Sequence, residues 1–394
     1  MRKSLLAMAA LMGVATLPAH AWRVKVDEQT FANIGFSTMI RGTYEGKRKT
    51  NEKSRANFKV QLFNITASGQ VNKLVYFGMN LEGTRAIKDK YCDEIEDGEP
   101  KCTERTSEPF GVRVRDAFIG LKFADELRVQ AGLQRVPFSR ASLTSTYALL
   151  VPTSYAGQGL GPGVNPLNVQ TNIDVSPRDA GVVVWGNVAE GMLKYYLAVT
   201  DGATIGSSTD DSLAYTLRLQ FTPTMLGFKP ETGYTVSDTY LGKQNVLSIG
   251  AGYRVVGRNG RDTKMWTVDA LYEQKFGDIV PNLQVGYISV KDANGTSDLD
   301  LSHIYAQGQL LYDQVVGFGK PALAVKFEQN KRKASGTDPK NTRVGVWAHY
   351  YIKGQAAKVS LGVDSVNLNS AAKANVSGGG KNFTDVTLQF QVQF

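Results

Sequence analysis

The chain of 394 residues is poor in the side chains that do most catalytic and metal chemistry. It holds two cysteines and three histidines, and one of these, His20, lies in a segment that reads as removable. Only His303 and His349 then remain for imidazole chemistry, and neither cysteine has a His nearby, which makes a poor metal site. No G-x-S-x-G nucleophile turn occurs. GGGKN at 378–382 lacks the phosphate-cradle spacing and the Ser or Thr that should follow the lysine. DANGTSDLD at 292–300 misses the calcium-loop ligand pattern and its final Glu. Beyond the first 21 residues no run of 18 apolar residues exists, which excludes helical membrane spans. There is no composition break or Pro/Ser-rich linker, although a soluble chain of this length usually divides into domains.

Charge is also thin. The first 21 residues hold Arg2, Lys3 and no acid. Without them, 43 of the 45 Lys+Arg remain against 36 Asp+Glu, a net +7. The excess is scattered along the chain, unlike the basic stripe of a nucleic-acid binder, so no nucleic-acid partner is expected.

What the chain does have begins with an export signal. Arg2 and Lys3 precede an apolar stretch from Leu5 to Leu17, and Ala19-His20-Ala21 supplies small residues before Trp22. This predicts a signal peptide over 1–21 and a mature chain of 22–394 in an oxidising compartment. The alternative, a short N-terminal anchor, needs a longer apolar run. Cys92 and Cys102 suit that compartment. They lie in KDKYCDEIEDGEPKCTER, a charged loop without strand pattern, and are a disulfide candidate. A bridge closing so short a loop would stabilise by about 3 kcal/mol on the chain-entropy model.

The dominant signal is alternation with period two. At the C-terminus Val386, Leu388, Phe390, Val392 and Phe394 are apolar, and Thr387, Gln389, Gln391 and Gln393 fall between them. In a strand the two sets face opposite ways, one suited to lipid and one to water. The pattern predicts strands at 31–44, 57–68, 71–82, 110–123, 126–136, 178–187, 191–200, 212–222, 245–256, 264–276, 282–291, 301–312, 321–330, 341–352, 355–368 and 382–394. Most are long enough to span a bilayer when tilted. Short links at 69–70, 124–125, 188–190 and 353–354 alternate with long ones at 83–109, 137–177, 201–211, 292–300 and 369–381. One link, 223–244, is long where a short turn is expected, and Pro223 and Pro230 argue against a missed central strand there.

Period two alone also fits a soluble sandwich. Three features favour a membrane barrel: the export signal, the aromatics near strand ends (Tyr44, Phe58, Phe123, Tyr253, Trp266, Phe276, Tyr312, Tyr350), and the terminal Phe394. Phe394 resembles the signal read by the barrel-assembly machinery. In lipid every strand edge must pair, so the sheet must close. The expected fold is all-β: a single-domain transmembrane antiparallel β-barrel of about 16 strands.

A barrel of that size leaves an aqueous channel unless a loop narrows it. The longest loop, 137–177, is the natural constriction, with a mobile surface lid as the alternative. Its charges are Arg140 and Asp174. Strand parity turns Arg41, Lys122, Arg128, Lys194, Arg218, Arg254, Lys275, Lys326, Arg343 and Lys358 inward, against Glu82, Asp116, Asp269, Glu273, Glu328 and Asp364. Ten bases against six acids favour anions in a wet pore. The alternative is that many of these residues pair with one another across strands.

The motifs resemble a known family. LRVQAGLQRVPFS over Leu127–Ser139 resembles the LR-V-GQFKVPFS stretch of the phosphate-selective porin O/P family. RDAGV over Arg178–Val182 and LKYYLAVTDG over Leu193–Gly202 resemble its RD-x-G-V and LEYALGVFNG segments. Val246–Tyr253 and Val344–Leu361 are similar to two further strands. The resemblance implies a sixteen-stranded, often trimeric barrel whose third loop folds inward and whose best-known members pass phosphate along a dense Arg and Lys ladder. Here Arg135 takes the basic position of the KVPFS motif and Arg140 follows it. Where members carry consecutive basic residues, this chain has Asp116, Ala117 and Phe118 ahead of Ile119 to Leu121, so phosphate specificity is not carried over.

Together these observations predict a passive outer-membrane porin of a Gram-negative bacterium, mildly anion-preferring toward phosphate or other oxyanions. Its expected pore-lining set is Lys122, Arg128, Arg135, Arg140, Lys194, Arg218, Arg254 and Arg343. Small anions, lipid, lipopolysaccharide, the assembly machinery and two further copies of the chain are its expected partners, with no cofactor. A non-selective diffusion pore is the alternative. A barrel enzyme or a surface adhesin fits less well.

Overall fold

A computed structural model describes residues 22–49, 53–84, 88–96, 99–106, 111–152, 178–202, 213–257, 261–293, 296–333, 338–374 and 379–394. The proposed signal 1–21, and Asp174 in the third loop, lie outside them. The strands are β1 (Trp22–Lys25), β2 (Phe31–Glu45), β3 (Arg55–Gln70), β4 (Val75–Thr84), β5 (Lys88–Glu96), β6 (Glu99–Thr106), β7 (Gly111–Lys122), β8 (Arg128–Arg135), β9 (Arg178–Val188), β10 (Leu193–Thr200), β11 (Ala214–Phe221), β12 (Val246–Val256), β13 (Thr263–Glu273), β14 (Ile279–Lys291), β15 (Asp300–Tyr312), β16 (Lys320–Lys333), β17 (Lys340–Tyr351), β18 (Ala357–Leu368) and β19 (Phe383–Gln393). Two short helices, α1 (Arg140–Leu143) and α2 (Ser370–Ala374), lie in loops.

Sixteen of these strands, β2 to β4 and β7 to β19, form one antiparallel sheet with sequential neighbours. It closes where β19 pairs with β2, placing Gln389 opposite Arg41 and Leu388 opposite Gly42. Phe36 and Phe394 exchange both backbone hydrogen bonds at 2.9 Å, so the seam runs to the last residue. Closure leaves no open edge in the spanning region, which is what a lipid environment demands of a sheet. β1 pairs with Phe31–Ile34 of β2 and is additional to the sixteen.

The alternation sets the two faces. On β11 the outward Tyr215, Leu217, Leu219 and Phe221 are exposed, and the inward Ala214, Thr216, Arg218 and Gln220 are buried. The strand-end aromatics Tyr44, Phe58, Phe123, Tyr253, Trp266, Phe276 and Tyr312 are exposed on the outer surface, as interface rings are in such barrels.

Three expectations need correction. The stretch holding the cysteines is a hairpin, β5–β6, and its backbone register sets Cys92 opposite Cys102. The first short link lies at 71–74, where the Asn72 side chain accepts from the backbone N–H groups of Leu74 and Val75. The inner face is not polar along its whole length. Val256, Met265, Ile288, Val290, Leu301, Val366 and Phe383 belong to one buried apolar cluster toward the long-loop end.

Candidate functional site

The third loop turns into the barrel directly after β8. Gly252, on the wall, makes that possible: a Cβ there would stand 2.1 Å from the carbonyl oxygen of Phe138. Ser139 caps α1, accepting from the Ser142 N–H at 3.0 Å, while Ser142 Oγ accepts from the Ser139 N–H. This capping box satisfies two N–H groups that the helix start leaves open. The loop then crosses the lumen. Tyr147 donates to Asn64 of β3 at 2.7 Å, Lys358 of β18 donates to the Leu149 carbonyl at 3.1 Å, and Arg41 of β2 donates to the Pro152 carbonyl at 3.1 Å. Apolar seats hold it as well: Val151 packs with Ala324 and Trp347, and Ala141 and Leu149 with Tyr305.

A second segment enters from the opposite end, the one where β2 starts and β19 ends. It is the long link between β11 and β12. Lys194 donates to the Gly233 carbonyl at 2.7 Å and Asn187 to the Thr232 carbonyl at 3.0 Å. Tyr234 sits edge-on to Trp185 and Tyr196, with ring centroids 5.4 and 5.5 Å away. Glu273 accepts from Thr239 Oγ1 at 2.7 Å and from the Tyr240 and Gly242 N–H groups.

The two segments meet. Arg140 Nη1 and Nη2 donate to the two Glu231 oxygens at 2.8 and 2.7 Å, a bidentate pair with both side chains buried. Burial alone pushes the Glu231 carboxyl up, but the Arg140 charge and hydrogen bonds outweigh it and hold the carboxyl at about 2. Burial likewise pulls Arg140 down, and Glu231 more than reverses that, leaving it well above its ordinary value.

The chain matches the family described as phosphate-selective porin O and P over residues 40–269. It belongs to that family. Among similar proteins is an uncharacterised protein of Aquifex aeolicus (strain VF5), 26% identical over a 336-residue alignment that covers 79% of this chain and 76% of that one. Three solved structures share the fold. An anion-selective porin from Comamonas acidovorans is 12% identical, with 92% of this chain and 100% of that one covered and a TM-score of 0.58. OmpF of Salmonella typhi in complex with daunomycin is 15% identical, covers 95% and 100%, and has a TM-score of 0.56. The outer membrane channel DcaP of Acinetobacter baumannii is 12% identical, covers 95% and 100%, and has a TM-score of 0.52. The protein is an outer-membrane channel of the porin class.

Most of this porin's expected lining residues face the lumen, but few stand alone. Arg218 is bidentate to Asp269 at 2.8 and 2.7 Å. Arg254 reaches Asp179 at 3.1 Å, and Arg343 is buried opposite Glu328 in the register of β16 and β17. Arg128 reaches Asp125 at 2.7 Å and lies 4.4 Å from the centre of the Trp185 ring. Lys122 shares Asp125 at 2.8 Å on the half-exposed rim. Arg135 donates to the carbonyl oxygens of Ser142 and Thr144 at 2.8 and 3.0 Å, locking the root of the loop. Lys275 is not on the wall; it lies in the turn after β13, against Asp313.

Sequence parity missed three arginines, Arg113, Arg115 and Arg178. Between Asn80 and Leu81 the β4–β7 register shifts, and the extra residue on β7 is Arg115. The bulge turns Arg115 onto Glu82, which also takes Arg113 at 2.6 Å. Arg178, at the first position of β9, reaches Asp116 at 3.0 Å. Nothing in the alternation marks a bulge, so nothing pointed to Arg113 or Arg115, and only the RD-x-G-V motif included Arg178.

Proposed function

We propose that this porin is a passive channel for small solutes with a mild preference for anions, oxyanions such as phosphate among them. One observation carries the reading. At the root of the third loop Arg113, Arg115, Arg135 and Arg178 gather, among the described residues, around two carboxylates, Glu82 and Asp116. Arg135 donates to carbonyl oxygens there, and Arg135 and Arg178 both act on the single carboxylate of Asp116. A cationic excess in a confined, wet passage raises the local anion concentration. The preference is mild because Arg140, Arg218 and Arg254 are committed to acids. The Comamonas neighbour, named as anion-selective, supports the same sign.

The proposal includes residues 1–21 as export signal, 22–394 as one barrel domain, and passive diffusion without catalysis. It also includes recognition of Phe394 during assembly, contact with lipid and lipopolysaccharide, and assembly as a homotrimer. One structural neighbour, OmpT of Vibrio cholerae, is described in a trimer form. Cys92 and Cys102 are proposed as a staple of the β5–β6 hairpin, since paired positions on antiparallel strands lie within disulfide reach.

Single-channel recording under a salt gradient tests the reading. The expected reversal potential has the sign of anion preference, and Arg128→Glu reduces it. Added phosphate blocks chloride current only if a specific site exists. A cation-selective wild type would overturn the preference, and an equal response to both ions would favour the non-selective pore.

A further inference from the structure

The link between β11 and β12 is not needed to join two adjacent antiparallel strands; a few residues suffice for that, and long ordered connections usually have work to do. This one is ordered over its whole length and forms a seam with the third loop. Thr144 and Val236 form a parallel bridge. The Val236 N–H donates to the Leu143 carbonyl at 3.3 Å, and the Asp238 N–H to the Ala148 carbonyl at 3.2 Å. The Asp238 carboxylate accepts from Thr144 Oγ1 at 3.1 Å and from the Leu150 N–H at 3.0 Å. The link is itself fixed to the wall through Glu273 and Lys194. A loop entering from one mouth therefore rests on a floor entering from the other.

We propose that the link 222–245 is the second half of the channel's constriction, and that the Arg140–Glu231 clasp sets both the open cross-section and the charge left on it. The proposal rests on the channel reading above. One loop cannot fill a sixteen-stranded barrel, so what lies beneath it decides the remaining width. The clasp also cancels charge. Arg140 alone would add a cation to the passage and Glu231 alone an anion, and a buried pair broken on one side leaves the other charge uncompensated.

The two single variants therefore separate size from charge. The full-length protein is reconstituted in planar bilayers as wild type, Glu231→Gln, Arg140→Gln and the double variant, with folding checked by heat-modifiable migration. Both single variants should raise conductance about twofold, because each unclasps the seam. Their selectivities should move oppositely: Glu231→Gln toward anions, Arg140→Gln toward cations. The double variant should keep the higher conductance and return to near wild-type selectivity. Folded variants with wild-type conductance would overturn the proposal, as would selectivity shifts of the same sign.

Should the clasp variants fail to fold, Thr144→Cys with Val236→Cys tests the seam without removing a charge. Oxidation should leave conductance unchanged and quieten its fluctuations. Loss of current on oxidation would mean that the seam parts during conduction, which contradicts a fixed floor. A wild type that never conducts would defeat the channel reading itself. A conducting wild type with unaltered variants would defeat this inference alone.

Discussion

Along β11, Tyr215, Leu217, Leu219 and Phe221 face outward and need only be apolar, whereas Thr216, Arg218 and Gln220 face inward and each has a named partner. Thr216 accepts from Arg254, Arg218 grips Asp269, and Gln220 donates to Glu231. The outer face is specified by a solvent, the inner face by particular residues brought from elsewhere in the chain. An outward residue can be exchanged for any of similar polarity. An inward one is coupled to its partner and to the segment that the partner holds.

Breaking the inner side should cost most. Arg218→Ala leaves the buried Asp269 without its cation, and such a loss costs about 3–5 kcal/mol. Urea unfolding in lipid vesicles measures it, and Arg218→Ala with Asp269→Ala should recover part of the loss. On the outer side Leu217→Ala should be mild, whereas Leu217→Arg, near the middle of its strand, costs about 2–4 kcal/mol in the same assay. If Leu217→Arg were neutral, the outer face would not be meeting lipid. The rim should respond least: Lys122→Gln removes a half-exposed pair with Asp125 and changes stability by no more than about 1 kcal/mol.

Acid sharpens the contrast further. The Glu231 carboxyl is lowered from its ordinary 4.5 to about 2, so its contribution is fully present above pH 4.5 and is lost as pH falls toward about 2. Vesicle-embedded protein should therefore lose stability across that window. Glu231→Gln should remove this dependence while leaving the outer-face variants' effects unchanged.

The same contrast explains what the sequence could disclose. Alternation of Leu213, Tyr215, Leu217, Leu219 and Phe221 is a local signal, and it placed sixteen strands and their outward faces. The third loop's inward fold was legible from its length and the LRVQAGLQRVPFS motif. The partner of Arg140 was not, because Glu231 is distant in sequence and reaches it only after the barrel has closed. The link carrying Glu231 stood out as too long, but length alone does not say inward. Arg115 was missed because one inserted residue flips the face without changing the composition. The β5–β6 hairpin was missed because its charged residues do not alternate with apolar ones.

Scanning β11 with single spin labels from 214 to 221 in lipid bilayers tests the two-faced wall most directly. Contact with dissolved oxygen should peak at 215, 217, 219 and 221, and contact with a water-soluble paramagnetic reagent should not rise at those positions. Uniform contact along the strand, or peaks at 216, 218 and 220 instead, would contradict a closed barrel whose odd-numbered face on this strand meets lipid.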